Sequence, residues 1–112
     1  METKDKIILG DLLDFIHSIE GSLQGIGFGD YRNDRERMIE VVSYFEELVN
    51  FYNRLDHVLQ SLYPKIPWDK LKTMNELLIP TNDSGIDEEA VWKTAKGILP
   101  DIKKSIINYM DA

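Results

Sequence analysis

The chain has no cysteine. That absence removes disulfides, thiolate metal sites and a cysteine nucleophile together, and leaves stability to packing. Histidine is nearly as scarce: His17 and His57 are far apart in the sequence, which excludes the closely spaced ligand pairs of common zinc sites. Neither a metal nor a cofactor is expected. No segment alternates apolar and polar residues with a period of two, so no strand is expected. Long apolar runs are missing too. Ile7-Ile8-Leu9 is preceded by Lys4-Asp5-Lys6 and followed by Gly10-Asp11, too short and too charged for a signal peptide or a spanning helix, so a cytoplasmic setting without membrane contact is expected. Positive charge is in deficit, with 13 Lys and Arg against 20 Asp and Glu and a net charge of −7. This speaks against a chain that holds RNA by neutralising phosphates. A phosphate-cradling loop is also lacking: Gly25-Ile26-Gly27-Phe28-Gly29 has no Gly-Lys-Ser/Thr element after it and reads as a flexible turn.

What is present is ordinary globular material, 112 residues that are 43% hydrophobic and 29% charged, enough for one domain spanning 1–112. Ile8, Leu12, Phe15, Ile16, Ile19 and Leu23 recur at three- and four-residue steps, predicting a first helix over about 5–24, broken by Gly21, Gly25, Gly27 and Gly29. A second helix is expected from an N-cap at Asn33 or Asp34 to about Leu62. Its seam is Phe45, Leu48, Tyr52, Leu55, Leu59 and Leu62. Pro64 and Pro67 end it, because each lacks an amide donor and disfavours helical geometry in the residue before it.

A short third helix should turn Trp68, Leu71, Met74, Leu78 and Leu77 inward and stop at Pro80, followed by the turn Thr81-Asn82-Asp83-Ser84-Gly85. Asp87 is the expected N-cap of a fourth helix, with Ile86 placed to staple onto Val91 and Glu88 and Glu89 at its positive end. That helix carries Val91, Trp92, Ala95, Ile98, Leu99, Ile102, Ile106 and Met110 inward, and Pro100 should kink or split it. The fold class expected is all-α, an antiparallel up-down bundle of four to five helices.

Polar candidates are few, and each has an ordinary explanation. Asp14 and His17 are three apart on the first helix and read as a surface hydrogen bond. His57 beside Asp56 reads the same way. Glu46 and Glu47 are adjacent, so they point in different directions and make a poor acid–base pair. Trp68 and Trp92 fall on apolar faces and read as core, while Lys65, Lys70 and Lys72, with Asp69 among them, read as a solvated helix face.

The run Tyr63-Pro64-Lys65-Ile66-Pro67-Trp68, followed by Met74, Leu78-Ile79, Gly85-Ile86-Asp87, Val91-Trp92 and Leu99-Pro100, resembles the second half of HepT-like proteins of the HEPN superfamily. The earlier helices match in length and pattern. The resemblance implies a helical bundle that forms a homodimer and has a small nucleotidyltransferase as cognate antitoxin. It also implies a ribonuclease site: an arginine after the methionine, a histidine after the Leu-Ile pair, and a tyrosine two residues later that the nucleotidyltransferase modifies with AMP. Here those positions are Asn75, Pro80 and Asn82, and the loop to Gly85 is one residue longer. None of Arg32, Arg35, Arg37 and Arg54 has a histidine five to seven residues downstream.

The histidine of such a site handles the proton of the attacking ribose hydroxyl and the arginine holds charge growing on the phosphate. Proline and asparagine do neither. The expectation is a catalytically degenerate dimeric interaction module, with no catalytic residues of its own and RNA not among its partners. Two alternatives stand beside it. One is a ribonuclease toxin using substitutes such as Arg54 with His57 or a lysine of the basic stretch; the other is a nucleotide-binding bundle.

Overall fold

The computed structural model describes residues 1–79 and 85–111, and these form helices joined by short turns, with no strand among the described residues. The first helix, α1, spans Thr3–Leu23. Gly21 does not break it. The chain turns at Gly25, whose φ of 77° is the left-handed conformation that glycine adopts without a Cβ penalty. Nor is the glycine-rich stretch simply a flexible turn, because Phe28–Arg32 forms a short helix, α2, whose Asp30 carboxylate accepts the Gly27 amide.

The long second helix is divided in two. α3 spans Arg35–Asn53 and α4 spans His57–Leu62. Asp34 caps α3 by accepting the Arg37 amide, as its position suggested. Asp56 caps α4 by accepting the amide of Val58. An aspartate side chain that captures a nearby amide competes with helical continuation, and this interrupts the seam read from spacing alone. Phe45, Leu48 and Leu59 of that seam are buried, Tyr52 and Leu55 partly so, but Leu62 is 59% exposed.

α5, Trp68–Thr73, begins directly after Pro67 and tightens into a 3₁₀ turn over Met74–Leu78. Trp68, Leu71 and Met74 are buried. The expected stop at Pro80 and the turn Thr81 to Ser84 lie outside the described residues. Asp87 caps α6, Glu88–Lys93, by accepting the Ala90 amide. A π-turn over Thr94–Ile98 then leads into α7, Leu99–Met110. Pro100 therefore does not split the rod. It has no amide for the carbonyl four residues back, and the Leu99 amide reaches the Thr94 carbonyl five residues back, so a wider turn absorbs the proline.

Side-chain pairs give the helix directions. Phe15 meets Phe51 with ring centroids 5.5 Å apart, while Ser22 donates to Glu40 at 2.9 Å, so α3 descends as α1 ascends. Lys103 pairs with Glu20 at 3.0 Å and Lys96 donates to the Leu23 carbonyl at 3.1 Å, so α7 also runs antiparallel to α1. α1 is thus the shared partner of both long helices. Its Leu9, Leu12, Ile16, Ile19 and Leu23 form the core with Val41, Phe45 and Leu48 of α3 and Leu99, Ile102 and Ile106 of α7. At one end Arg37, held by the Asp34 carboxylate, also donates to the Ser22 carbonyl and ties α3 to the last turn of α1.

Two tyrosines close the remaining sides. Tyr31 of α2 is fully buried, packs on Phe28 and Trp92, and donates to Glu88 of α6. Tyr63 donates to the buried Asp5 at 2.6 Å, pinning the start of α1 to the loop after α4, and meets the Tyr109 ring edge-on. Burial first, then the bond to Glu88, holds the Tyr31 phenol far above its usual range. The bond to Asp5, with burial second, pushes Tyr63 up to about 12 from 10.0.

A group whose folded pKa is raised stabilises the fold fully below its unfolded value and loses that contribution as pH rises through the folded one. The melting temperature should therefore begin to fall above pH 10 and keep falling through pH 12. Tyr63→Phe should be less stable at neutral pH and show a shallower alkaline slope. Thermal melts at a series of pH values check this, and equal slopes would contradict it.

Candidate functional site

Of the three positions implied by the resemblance, Asn75 is described and Pro80 and Asn82 lie outside the described residues. Asn75 sits in the 3₁₀ turn after α5, facing the end of α3. Its Nδ2 donates to the Lys72 carbonyl at 2.9 Å, and its Oδ1 accepts from Asn53 Nδ2 at 3.0 Å. A second, longer bond of 3.4 Å runs from Asn75 Nδ2 to Asn53 Oδ1. The side chain is thereby spent on joining two elements, and it carries no charge.

Beside this turn is a hollow of about 330 Å³ whose wall includes Met74, Glu76, Ile79, Asp87 and Thr94. Its ionisable lining residues are the carboxylates Glu76 and Asp87. Two carboxylates repel a phosphodiester, and among the described residues none that lines the hollow supplies a cation to offset them.

The substitute residues are placed differently. Arg54 ends α3 and His57 opens α4, on opposite sides of the break at Asp56, and both are exposed. Neither lines the hollow beside the 3₁₀ turn. His17 is exposed on α1, and among the described residues no hydrogen bond or ion pair joins it to Asp14, whose carbonyl accepts from Ser18. His17 does share a groove with Arg37, but Asp34, Glu36 and Glu40 line it as well. Arg37 is bound there to Asp34, whose carboxyl is held below its usual range first by the bond from the Arg37 amide and then by the bond from its guanidinium. That groove is acidic overall and its arginine is occupied.

The remaining candidates are structural. Trp68 is buried and donates its indole N–H to the Tyr63 carbonyl at 2.9 Å, and Trp92 packs on Phe28 and Tyr31. Glu46 and Glu47 are exposed. Lys65, Lys70 and Lys72 are exposed as well, with Lys70 3.9 Å from Asp101. Among the described residues no three potential metal ligands converge, and no helix is long and apolar enough to cross a membrane. What sequence reasoning missed is a cleft between α1 and the π-turn, lined by Lys96 and Lys103, whose partners on α1 lie about 80 positions away in the sequence.

Comparison with known proteins gives the geometry its context. No family model matches the chain, and no solved structure matches it. Curated relatives do. The protein of Thermococcus cleftensis named "Probable ribonuclease HepT" is 28% identical over 103 residues, which is 92% of this chain and 93% of that protein. Two proteins of Methanocaldococcus jannaschii, "Putative RNase MJ1216" and "Putative RNase MJ0125", are 28% and 27% identical over 88% of this chain and 81% and 84% of their own lengths. With matches running nearly end to end on an all-helical bundle, the chain is similar over most of its length to proteins named as a HepT ribonuclease and as RNases.

Proposed function

We propose that this chain is a catalytically silent HepT-like protein, working in the cytoplasm as a dimeric interaction module with a small nucleotidyltransferase as its partner. Asn75 carries the reading. Where the resemblance implies an arginine, an uncharged amide is tied to Asn53 and to the Lys72 carbonyl. In sequence, Pro80 and Asn82 add a residue unable to move a proton and one without a phenolic oxygen.

Shape and surface support the dimer. The molecule measures 43 × 30 × 18 Å, and its thin dimension is about two packed helices deep. A slab of that kind leaves broad faces. Val58 and Leu62 of α4 and Ile79 after the 3₁₀ turn are 64%, 59% and 61% exposed, apolar area of the kind that partners cover. Light scattering after size exclusion should give twice the 13.0 kDa chain mass. Val58→Glu combined with Leu62→Glu should shift the species toward monomer without unfolding it, since both side chains are exposed. A wild type that stays monomeric at high concentration would contradict the module.

The relatives' names favour a second reading, a ribonuclease, which here would need substitute residues such as Arg54 with His57 or a lysine of the basic stretch. The exposed placement of both residues, outside the hollow, weighs against it.

A further inference from the structure

We infer that the cleft between the last turns of α1 and the π-turn binds a small phosphomonoester with an apolar body. This cleft, about 500 Å³, is lined from α1 by His17, Glu20 and Gln24 and from the opposite side by Lys96, Pro100 and Lys103. Lys96, Pro100 and Lys103 follow at steps of four and three, so their side chains share one stripe of the helical rod. Each ammonium is already held in place. Lys96 Nζ donates to the Leu23 carbonyl at 3.1 Å and lies 4.9 Å from the centre of the Trp92 ring, while Lys103 Nζ is 3.0 Å from Glu20.

An ammonium has three N–H donors, and each lysine spends one on the oxygen given, so two remain on each for a ligand. Groups fixed beforehand cost little ordering entropy when an anion arrives. The local charge also points to an anion. Two ammonium groups face the single Glu20 carboxylate, a net positive cleft on a protein of net charge −7. The neighbouring groove of His17 and Arg37 has three carboxylates instead. A phosphomonoester is close to a dianion at neutral pH and offers three acceptor oxygens to which the free donors can bond.

The exposed Pro100 ring supplies apolar wall over Leu23 and Ala95, which are themselves buried, and a bare phosphate would leave that ring uncovered. Gly21 lies on the opposite wall, where a Cβ would meet nothing within 4 Å, so a larger side chain there has room to enter the space without disturbing the helix packing. The inference stands apart from the proposed loss of ribonuclease activity, since it uses none of the same residues.

Titration of the labelled protein with phenyl phosphate, followed by amide chemical shifts, is the test. Saturable shifts at His17, Gln24, Lys96 and Lys103 are expected, with inorganic phosphate binding more weakly at the same place. Lys96→Gln with Lys103→Gln should weaken phenyl phosphate at least tenfold. Gly21→Met should do so as well while retaining the fold, because methionine favours a helix more than glycine does. Absence of saturation at millimolar concentrations would overturn the inference and leave the lysines as ties between α7 and α1. Binding unchanged in both variants would overturn it equally.

Discussion

Phe45→Ala is expected to cost about 3 to 5 kcal/mol of stability, the range for deleting a buried aromatic ring from a core that relaxes only in part. Phe45 is fully buried within the cluster formed by α1, α3 and α7. The thin dimension of 18 Å leaves no further layer able to collapse into the void. A cost of that size lowers the melting temperature by about 15 to 30 °C for a chain near this length. Ile39→Ala provides the comparison: Ile39 lies on the same helix but is 58% exposed, and its loss should change stability by no more than about 0.5 kcal/mol. Thermal and denaturant unfolding of the two variants measure the difference, and similar costs would mean that α3 is not oriented as described.

The contrast between those two residues was legible in the sequence, because helical periodicity separates inward from outward positions without tertiary information. The same is true of the Asp34 and Asp87 caps, each a short-range bond between a carboxylate and an amide three residues on. The break at Asp56 was harder to see. Apolar spacing continues through Leu55, Leu59 and Leu62, and only the competing bond from Asp56 to the Val58 amide reveals that the helix stops and restarts. Pro100 was visible as a disturbance, but the choice between a kink and a π-turn depends on how the backbone redistributes its bonds.

The site divides along the same line. The resemblance to HepT-like proteins singled out Asn75 as the position where an arginine is implied. It carried no trace of Asn53 as the partner of Asn75, or of Lys96 and Lys103 converging on α1, because these are contacts between segments distant along the chain.

The wild-type chain is expected to leave RNA intact. Losing a positioned general base costs about 10² to 10⁴ in rate, and losing a donor that stabilises transition-state charge costs about 10² to 10³. The two losses need not multiply, since residues acting as a unit are not additive. Even the smaller figure removes an effective ribonuclease, and the acidic lining of Glu76 and Asp87 discourages the substrate as well. Arg54 and His57 are exposed, and like Asn75 they are not among the residues that line that hollow.

The direct measurement is incubation of the purified protein with total cellular RNA, wild type beside His57→Ala. Catalytic silence predicts no cleavage above buffer in either sample. Turnover by the wild type that vanishes in His57→Ala would contradict it.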